Sequence, residues 1–241
     1  MMEARRSPQP RFFRRPNDDR GPRPGPGKPF FRDGRNQAPP SKKFIRQPEI
    51  KITDDMQVTD GKHKGIQLKS TQSPKVRPTA RRVREALFKT LNRRIRFARF
   101  LDLCAGSGAV GVEAISRGAL LSTFVERSAK MCHFIKQNLE SCKICSHGHG
   151  EICQYEVMPF LKKMSARKRY WDIVYFDPPY EANYDEVLEC FGKGACVRPD
   201  GGILVVEHPA EMFFPPQIGC LTRRRVVQEG DSALTFYERR K

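Results

Sequence analysis

Acidic residues, long apolar runs and paired cysteines are all in short supply in this 241-residue chain, and each shortage closes off a class of protein. Asp and Glu number 27 against 45 Lys and Arg, a formal net charge of +18. Such an excess makes polyanions the natural partners, and nucleic acid, whose phosphates release counterions to Lys and Arg, ranks ahead of an anionic membrane. No apolar run approaches the roughly 20 residues that a helix needs to cross a bilayer, so no membrane partner is expected. The 8 cysteines lie in or beside apolar segments or in one small cluster, without the dense even spacing of a secreted disulfide scaffold, and no signal peptide is expected. A reducing, cytoplasmic compartment is expected.

Charge and proline are unevenly spread. Residues 1–52 hold 14 Lys or Arg against 5 Asp or Glu, a net of 14 − 5 = +9, with repeated Arg-Phe-Phe or Phe-Phe-Arg fragments such as Arg11-Phe12-Phe13 and Phe30-Phe31-Arg32. That composition cannot build a core and predicts a disordered basic tail, in which Arg and Phe offer charge and stacking to RNA. A second region, 53–97, is expected to carry a hairpin and a helix for RNA contact, and 98–241 the main domain. The stretch Val58 to Leu68 reads as a hairpin bent at Gly61 and Gly65, with Lys62, His63 and Lys64 exposed at the bend. A helix beginning at Pro78 or Thr79 follows, with Val83, Leu87 and Leu91 on one face and Arg81, Arg82 and Arg84 around it.

The remainder alternates strand and helix. Strands near residues 100, 120, 151, 171 and 203, separated by helical patterns, predict a doubly wound α/β domain closed by a hairpin of 223–228 and 233–238. Ligands in such folds bind outside the carboxyl ends of the strands, and several strands here end in carboxylates. The apolar run Ile173-Val174-Tyr175-Phe176 stops at Asp177-Pro178-Pro179-Tyr180, where proline cannot continue a sheet ladder. Asp177 and the Pro178 carbonyl are acceptors, the prolines stiffen the backbone, and Tyr180 presents a flat face; together they suit a planar molecule bearing an amino group. Taken alone, the same four residues also suit an ordinary turn.

Upstream, Phe100-Leu101-Asp102-Leu103-Cys104 runs into Ala105-Gly106-Ser107-Gly108 and then a helix, and Gly106, Gly108 and Gly111 satisfy G-x-G-x-x-G. Glu126 ends the next strand, placed to hold both hydroxyls of a ribose. A dinucleotide and S-adenosylmethionine both fit this arrangement. Asp102 favours the cationic cofactor, because a carboxylate there would repel a pyrophosphate and attract an ammonium. Glu156, after the third strand, is a candidate acceptor for an adenine amine. Cys142, Cys145, His147 and His149 invite a zinc site, but one C-x-x-C without a matching pair is a weak signal, and no metal is expected.

Read together, Arg77-Pro78-Thr79, Val83-Arg84-Glu85-Ala86-Leu87-Phe88, the run Leu101 to Ala119 and Asp177 to Tyr180 make the chain from about Met56 to Tyr237 resemble the RsmD family of bacterial 16S ribosomal RNA guanine-N2 methyltransferases. The resemblance implies a Rossmann-like, class I S-adenosylmethionine-dependent fold, a seven-strand sheet with an N-terminal hairpin. It implies cofactor contacts at Asp102, Ala105, Gly106, Ser107, Gly108, Glu126 and Glu156, and the target base at Asp177, Pro178, Pro179 and Tyr180. RNA contacts are expected at Lys62, His63, Lys64, Arg77, Thr79 and Arg84. The partner would be small-subunit ribosomal RNA or an assembling 30S particle, met by a monomer. Competing readings are a DNA adenine-N6 or protein glutamine methyltransferase, and a non-catalytic RNA-binding assembly factor.

Overall fold

The computed structural model describes residues 56–70, 81–144, 148–179 and 184–240. The basic tail over 1–52, and with it Arg77, Thr79, Cys145, His147 and Tyr180, lies outside the described residues.

One sheet organises everything described. In chain order the elements are α1 (Arg81–Leu91), β1 (Arg99–Leu103), α2 (Ala109–Ser116), β2 (Leu121–Glu126), α3 (Ala129–Ser141), β3 (Gly150–Gln154), α4 (Val157–Ala166), β4 (Ile173–Phe176), α5 (Tyr184–Gly192), β5 (Ile203–Pro209), β6 (Gln217–Ile218), β7 (Leu221–Glu229) and β8 (Ser232–Arg239). The strands order as β3-β2-β1-β4-β5-β8-β7-β6. The five from β3 to β5 are parallel, and β8, β7 and β6 add antiparallel partners. From β1 the chain steps outward to β2 and β3, then returns to β4 on the other side of β1. The gap beside β1 is therefore the topological switch point where α/β sheets receive ligands.

The sheet has eight strands where seven are expected, because the two-residue β6 pairs with the start of β7. The helix that the strand–helix alternation requires between the third and fourth strands is α4. Pro159 sits in its first turn, where no intrahelical donor is required. Trp171 stands outside β4 and is fully buried, its indole Nε1 donating to Thr123 Oγ1 at 3.0 Å. The central strands are nearly continuous apolar runs because helices cover both faces. On one face Leu101, Leu103, Val174, Phe176, Leu204 and Val206 pack with α4 and α5; on the other, Phe100, Tyr175 and Val205 pack with α1.

The expected hairpin is a single antiparallel bridge, Gln57 to Gln67, at the base of a tight turn. Its backbone is spent elsewhere: the Lys62 amide donates to the Ser116 carbonyl at 2.8 Å, and a Cβ on Gly61 would lie 2.0 Å from that oxygen. It is also less exposed than expected, since Met56, Val58 and Leu68 are buried against Val112, Phe124, Ile135 and Leu139. Helix α1 buries Val83, Leu87, Phe88 and Leu91 as its periodicity requires.

Arg84 corrects a site assignment. Its side chain is wholly buried, where it donates to Glu113 Oε2 at 3.2 Å and to the Gln57 carbonyl at 2.9 Å. A guanidinium sealed beneath 56–60 has no path to a phosphate, so Arg84 is not an RNA contact.

Candidate active site

At the carboxyl end of β1, Asp102 is buried and its Oδ2 accepts the Gly111 N–H at 2.9 Å. Burial raises its pKa to about 7; the Gly111 amide opposes that rise and the charge of Glu126 adds to it. The chain then turns through Cys104 (φ 63°), Ala105, Gly106 (φ 54°), Ser107 and Gly108 (φ 76°), the last capping α2. Glycine suits those left-handed positions, and it leaves the backbone open to a ligand. Gly111 serves packing instead, since a Cβ there would meet the Phe124 ring at 2.3 Å and its absence lets α2 lie against β2.

Glu126 ends β2 with its carboxylate fixed on two sides. Oε2 accepts the Gly106 N–H at 3.0 Å and Oε1 the Ser128 N–H at 2.8 Å. Each oxygen keeps a lone pair for a further donor, the geometry a ribose diol needs. Glu156 lies beside it, because the Tyr155 amide donates to the Glu126 carbonyl at 3.2 Å. Its side chain is largely exposed and stands 3.8 Å from Arg127.

Strand β4 pairs with β1 so that Leu103 faces Phe176, and the Asp177 amide reaches the Leu103 carbonyl at 3.4 Å. Asp177 is half-buried, Pro178 buried and Pro179 exposed. At the start of α5, Tyr184 packs edge-on to Phe176 at 5.9 Å and tilted against Phe214 at 5.6 Å. Burial pushes the Cys104 thiol's pKa far up; the charges of Asp177, Glu126 and Asp102 add to the rise and Arg127 opposes it. Asp102, Glu126 and Asp177 thus stand at the carboxyl ends of three adjacent strands, β1, β2 and β4, in a protein whose net charge is +18.

Other side chains hold this arrangement and escape the motif reading. Asn138, fully buried, donates to the Ser107 and Lys69 carbonyls at 2.9 Å each, tying the glycine loop to the N-terminal segment. A polar residue on the apolar stripe Ile135, Leu139, Cys142 was its sequence signal. Glu207, within β5, accepts from the Tyr175 hydroxyl, and both are buried. It follows the apolar run Ile203 to Val206, as Asp177 follows Ile173 to Phe176. Cys142 is buried in the apolar cluster with Leu139 and Ile144, and no group of potential metal ligands occurs among the described residues.

The predicted RNA contacts separate. Helix α2 runs antiparallel to the strands, so Ser116, which holds the Lys62 and His63 amides, lies at the amino ends of the strands. Lys62, His63 and Lys64 therefore sit at the edge remote from Asp177. Arg82 stays at the site's end of the molecule, beside Gly230 in the β7–β8 turn.

A family described as "Conserved hypothetical protein 95" matches residues 56–238. The ribosomal RNA small subunit methyltransferase D of Buchnera aphidicola subsp. Acyrthosiphon pisum is 37% identical over 71% of this chain and 88% of its own. A hypothetical protein of Thermus thermophilus has the same fold with TM-score 0.62 at 30% identity, over 75% of this chain and 97% of that one. The 16S rRNA N2 methyltransferase RsmC of T. thermophilus, solved with AdoMet and guanosine, shares the fold at TM-score 0.57 and 20% identity, over 75% of this chain and 49% of that one.

Proposed function

Because the chain belongs to the RsmD family, we propose that it transfers a methyl group from S-adenosylmethionine to the exocyclic N2 of a guanine in small-subunit 16S ribosomal RNA. The observation that carries this reading is the meeting of Asp102, Glu126 and Asp177 at the carboxyl ends of the adjacent strands β1, β2 and β4. A net-positive protein concentrates acid where a cation would sit, beside a glycine loop and a carboxylate with lone pairs for a diol. The residues fit that cofactor: Asp102 for its ammonium, Ala105 to Gly108 for close backbone approach, Glu126 for the ribose and Glu156 for the adenine amine.

When bound, the cofactor supplies an electrophilic methyl on a sulfonium. The chain's own residues prepare the acceptor. An amine conjugated to a purine is a weak nucleophile, so Asp177 and the Pro178 carbonyl accept its two hydrogens and localise the nitrogen lone pair. The two prolines stiffen the backbone beside Asp177, with Tyr180 as the stacking wall. Positioning of this kind is worth roughly 7 to 11 kcal/mol of a barrier. The guanine reaches these groups unpaired or flipped out. Residues 98–241 form the catalytic part, 53–97 and the tail 1–52 assist RNA binding, and the protein acts as a monomer on an assembling 30S particle in the cytoplasm.

The test is methyl transfer by the full chain with radiolabelled cofactor, offered ribosomal RNA, DNA or protein. Label should enter ribosomal RNA. Asp177→Ala should lower turnover by about 10²-fold or more with cofactor affinity nearly unchanged, and Glu126→Ala should weaken cofactor binding first. Equal loss of cofactor affinity in both variants would overturn the division of roles.

A further inference from the structure

The carboxyl ends of the strands hold the candidate site; their amino ends hold a feature the reaction does not use. Phe97, in the turn before β1, is 74% exposed and has φ 61°. A bulky residue in the left-handed region is strained, and an exposed ring gains little from burial. Glycine or asparagine would fill the position at less cost to the fold. The conformation is nevertheless pinned: the Phe97 amide donates to the Gly118 carbonyl at 2.8 Å and the Ala98 amide to Ile95 at 3.1 Å, with Ile95 and Ala98 buried on either side.

The surroundings are cationic. The Arg96 guanidinium stands 5.7 Å from the Phe97 ring centroid. A cavity of about 120 Å³ is lined by Arg94, Arg96, Phe97 and Arg198 together with Asp172. A wider hollow of about 730 Å³ shares Arg96 and adds Lys89, Arg93 and Arg117. The acids facing this edge are engaged, Asp172 with Arg198 at 2.5 Å, Asp60 with Arg117 at 3.2 Å, Glu85, which lines the wider hollow, with Arg81 at 2.9 Å, and Glu238 with Arg224 at 2.8 Å. Among the described residues neither Arg93 nor Arg96 forms an ion pair. The bend carrying Lys62 and Lys64 is fastened to Ser116 at the same edge.

We infer that this edge is a second RNA-binding surface, where Phe97 stacks on an unpaired base and Arg93 and Arg96 take the flanking phosphates. It rests on the RNA-methyltransferase reading and extends it. The surface lies about 15 Å from the methyl-transfer pocket, the length of a five-residue strand, so one folded RNA would have to reach both ends of the sheet. Exposed aromatics among arginines suit single-stranded RNA, since every base offers a face and every nucleotide a phosphate.

Two variants of the full chain test it, Phe97→Gly and Arg93→Glu with Arg96→Glu. Relief of strain should raise the melting temperature of Phe97→Gly by about 2 to 4 °C, while its affinity for transcribed small-subunit ribosomal RNA should fall about tenfold. The double variant should flatten the slope of log affinity against log salt by about 1.5. Cofactor affinity, measured by calorimetry, should not change in either. A lower melting temperature in Phe97→Gly, or wild-type RNA affinity in both variants, would overturn the inference. So would displacement of polyglutamate, and not RNA, by the substitutions, which would make the partner an acidic protein. Wild-type protein that binds and methylates RNA while the variants match it would sink this surface alone; wild-type protein that binds no RNA would sink both it and the proposed function.

Discussion

Replacing Glu113 by alanine would strand a charge that the fold has sealed from water. Glu113 and Arg84 are both wholly buried and meet at 3.2 Å, while Arg117, mostly buried, reaches the other carboxylate oxygen at 2.8 Å. The Thr59 hydroxyl also donates to that carboxylate. One acid therefore joins α1, α2 and the N-terminal segment. Removing one member of a buried, hydrogen-bonded pair costs about 3 to 5 kcal/mol, because the remaining charge stays desolvated. At about 2 to 4 °C per kcal/mol for a domain of this size, the melting temperature should drop by roughly 6 to 20 °C. Thermal unfolding followed by circular dichroism measures this. Arg84→Met combined with Glu113→Leu should recover most of the loss, since neither charge is then buried. A single-variant loss below about 1 kcal/mol, or a double variant no more stable than the single, would refute the assignment of Glu113 as a buried clasp.

Two further outcomes follow from the site. Asp102 holds a proton in the folded state up to about pH 7, against an ordinary 3.8. Its raised pKa stabilises the fold fully below about pH 4, and that contribution is lost as pH rises towards 7. A cationic cofactor wants the ionised form, so its affinity should weaken about tenfold for each unit below pH 7, with close to one proton released per binding event at pH 6 in calorimetry. Asp102→Asn should abolish that pH dependence, and its persistence would contradict the assignment. Gly111→Ala forces a Cβ to within 2.3 Å of Phe124; overpacking of this kind costs about 1 to 3 kcal/mol and should also weaken cofactor binding by shifting the glycine loop, whereas wild-type stability and affinity would contradict the packing account.

The parts legible in the sequence were those whose signal is local. The run Ile173 to Phe176 stopping at two prolines, and glycines entering a helix, specify a strand end and a loop without reference to the rest of the chain. Pairwise facts were not legible. Arg84 shows the same charge in sequence as Arg82, yet a partner 29 residues away turns it inward. Asn138 shapes the glycine loop from mid-helix, and only the neighbour it meets reveals why. The Lys62 to Lys64 bend was recognisable as basic, but its distance from Asp177 depends on the direction of α2, which composition does not encode. Phe97 is one of 16 phenylalanines until its φ and exposure are known.

The central claim is the methylated atom, and nucleoside analysis of small-subunit ribosomal RNA tests it most directly. RNA from cells lacking this protein should have lost one N2-methylguanosine by mass spectrometry. The wild-type chain should restore it and Asp177→Ala should not. An unchanged N2-methylguanosine content, or a change confined to N6-methyladenosine, would contradict the account.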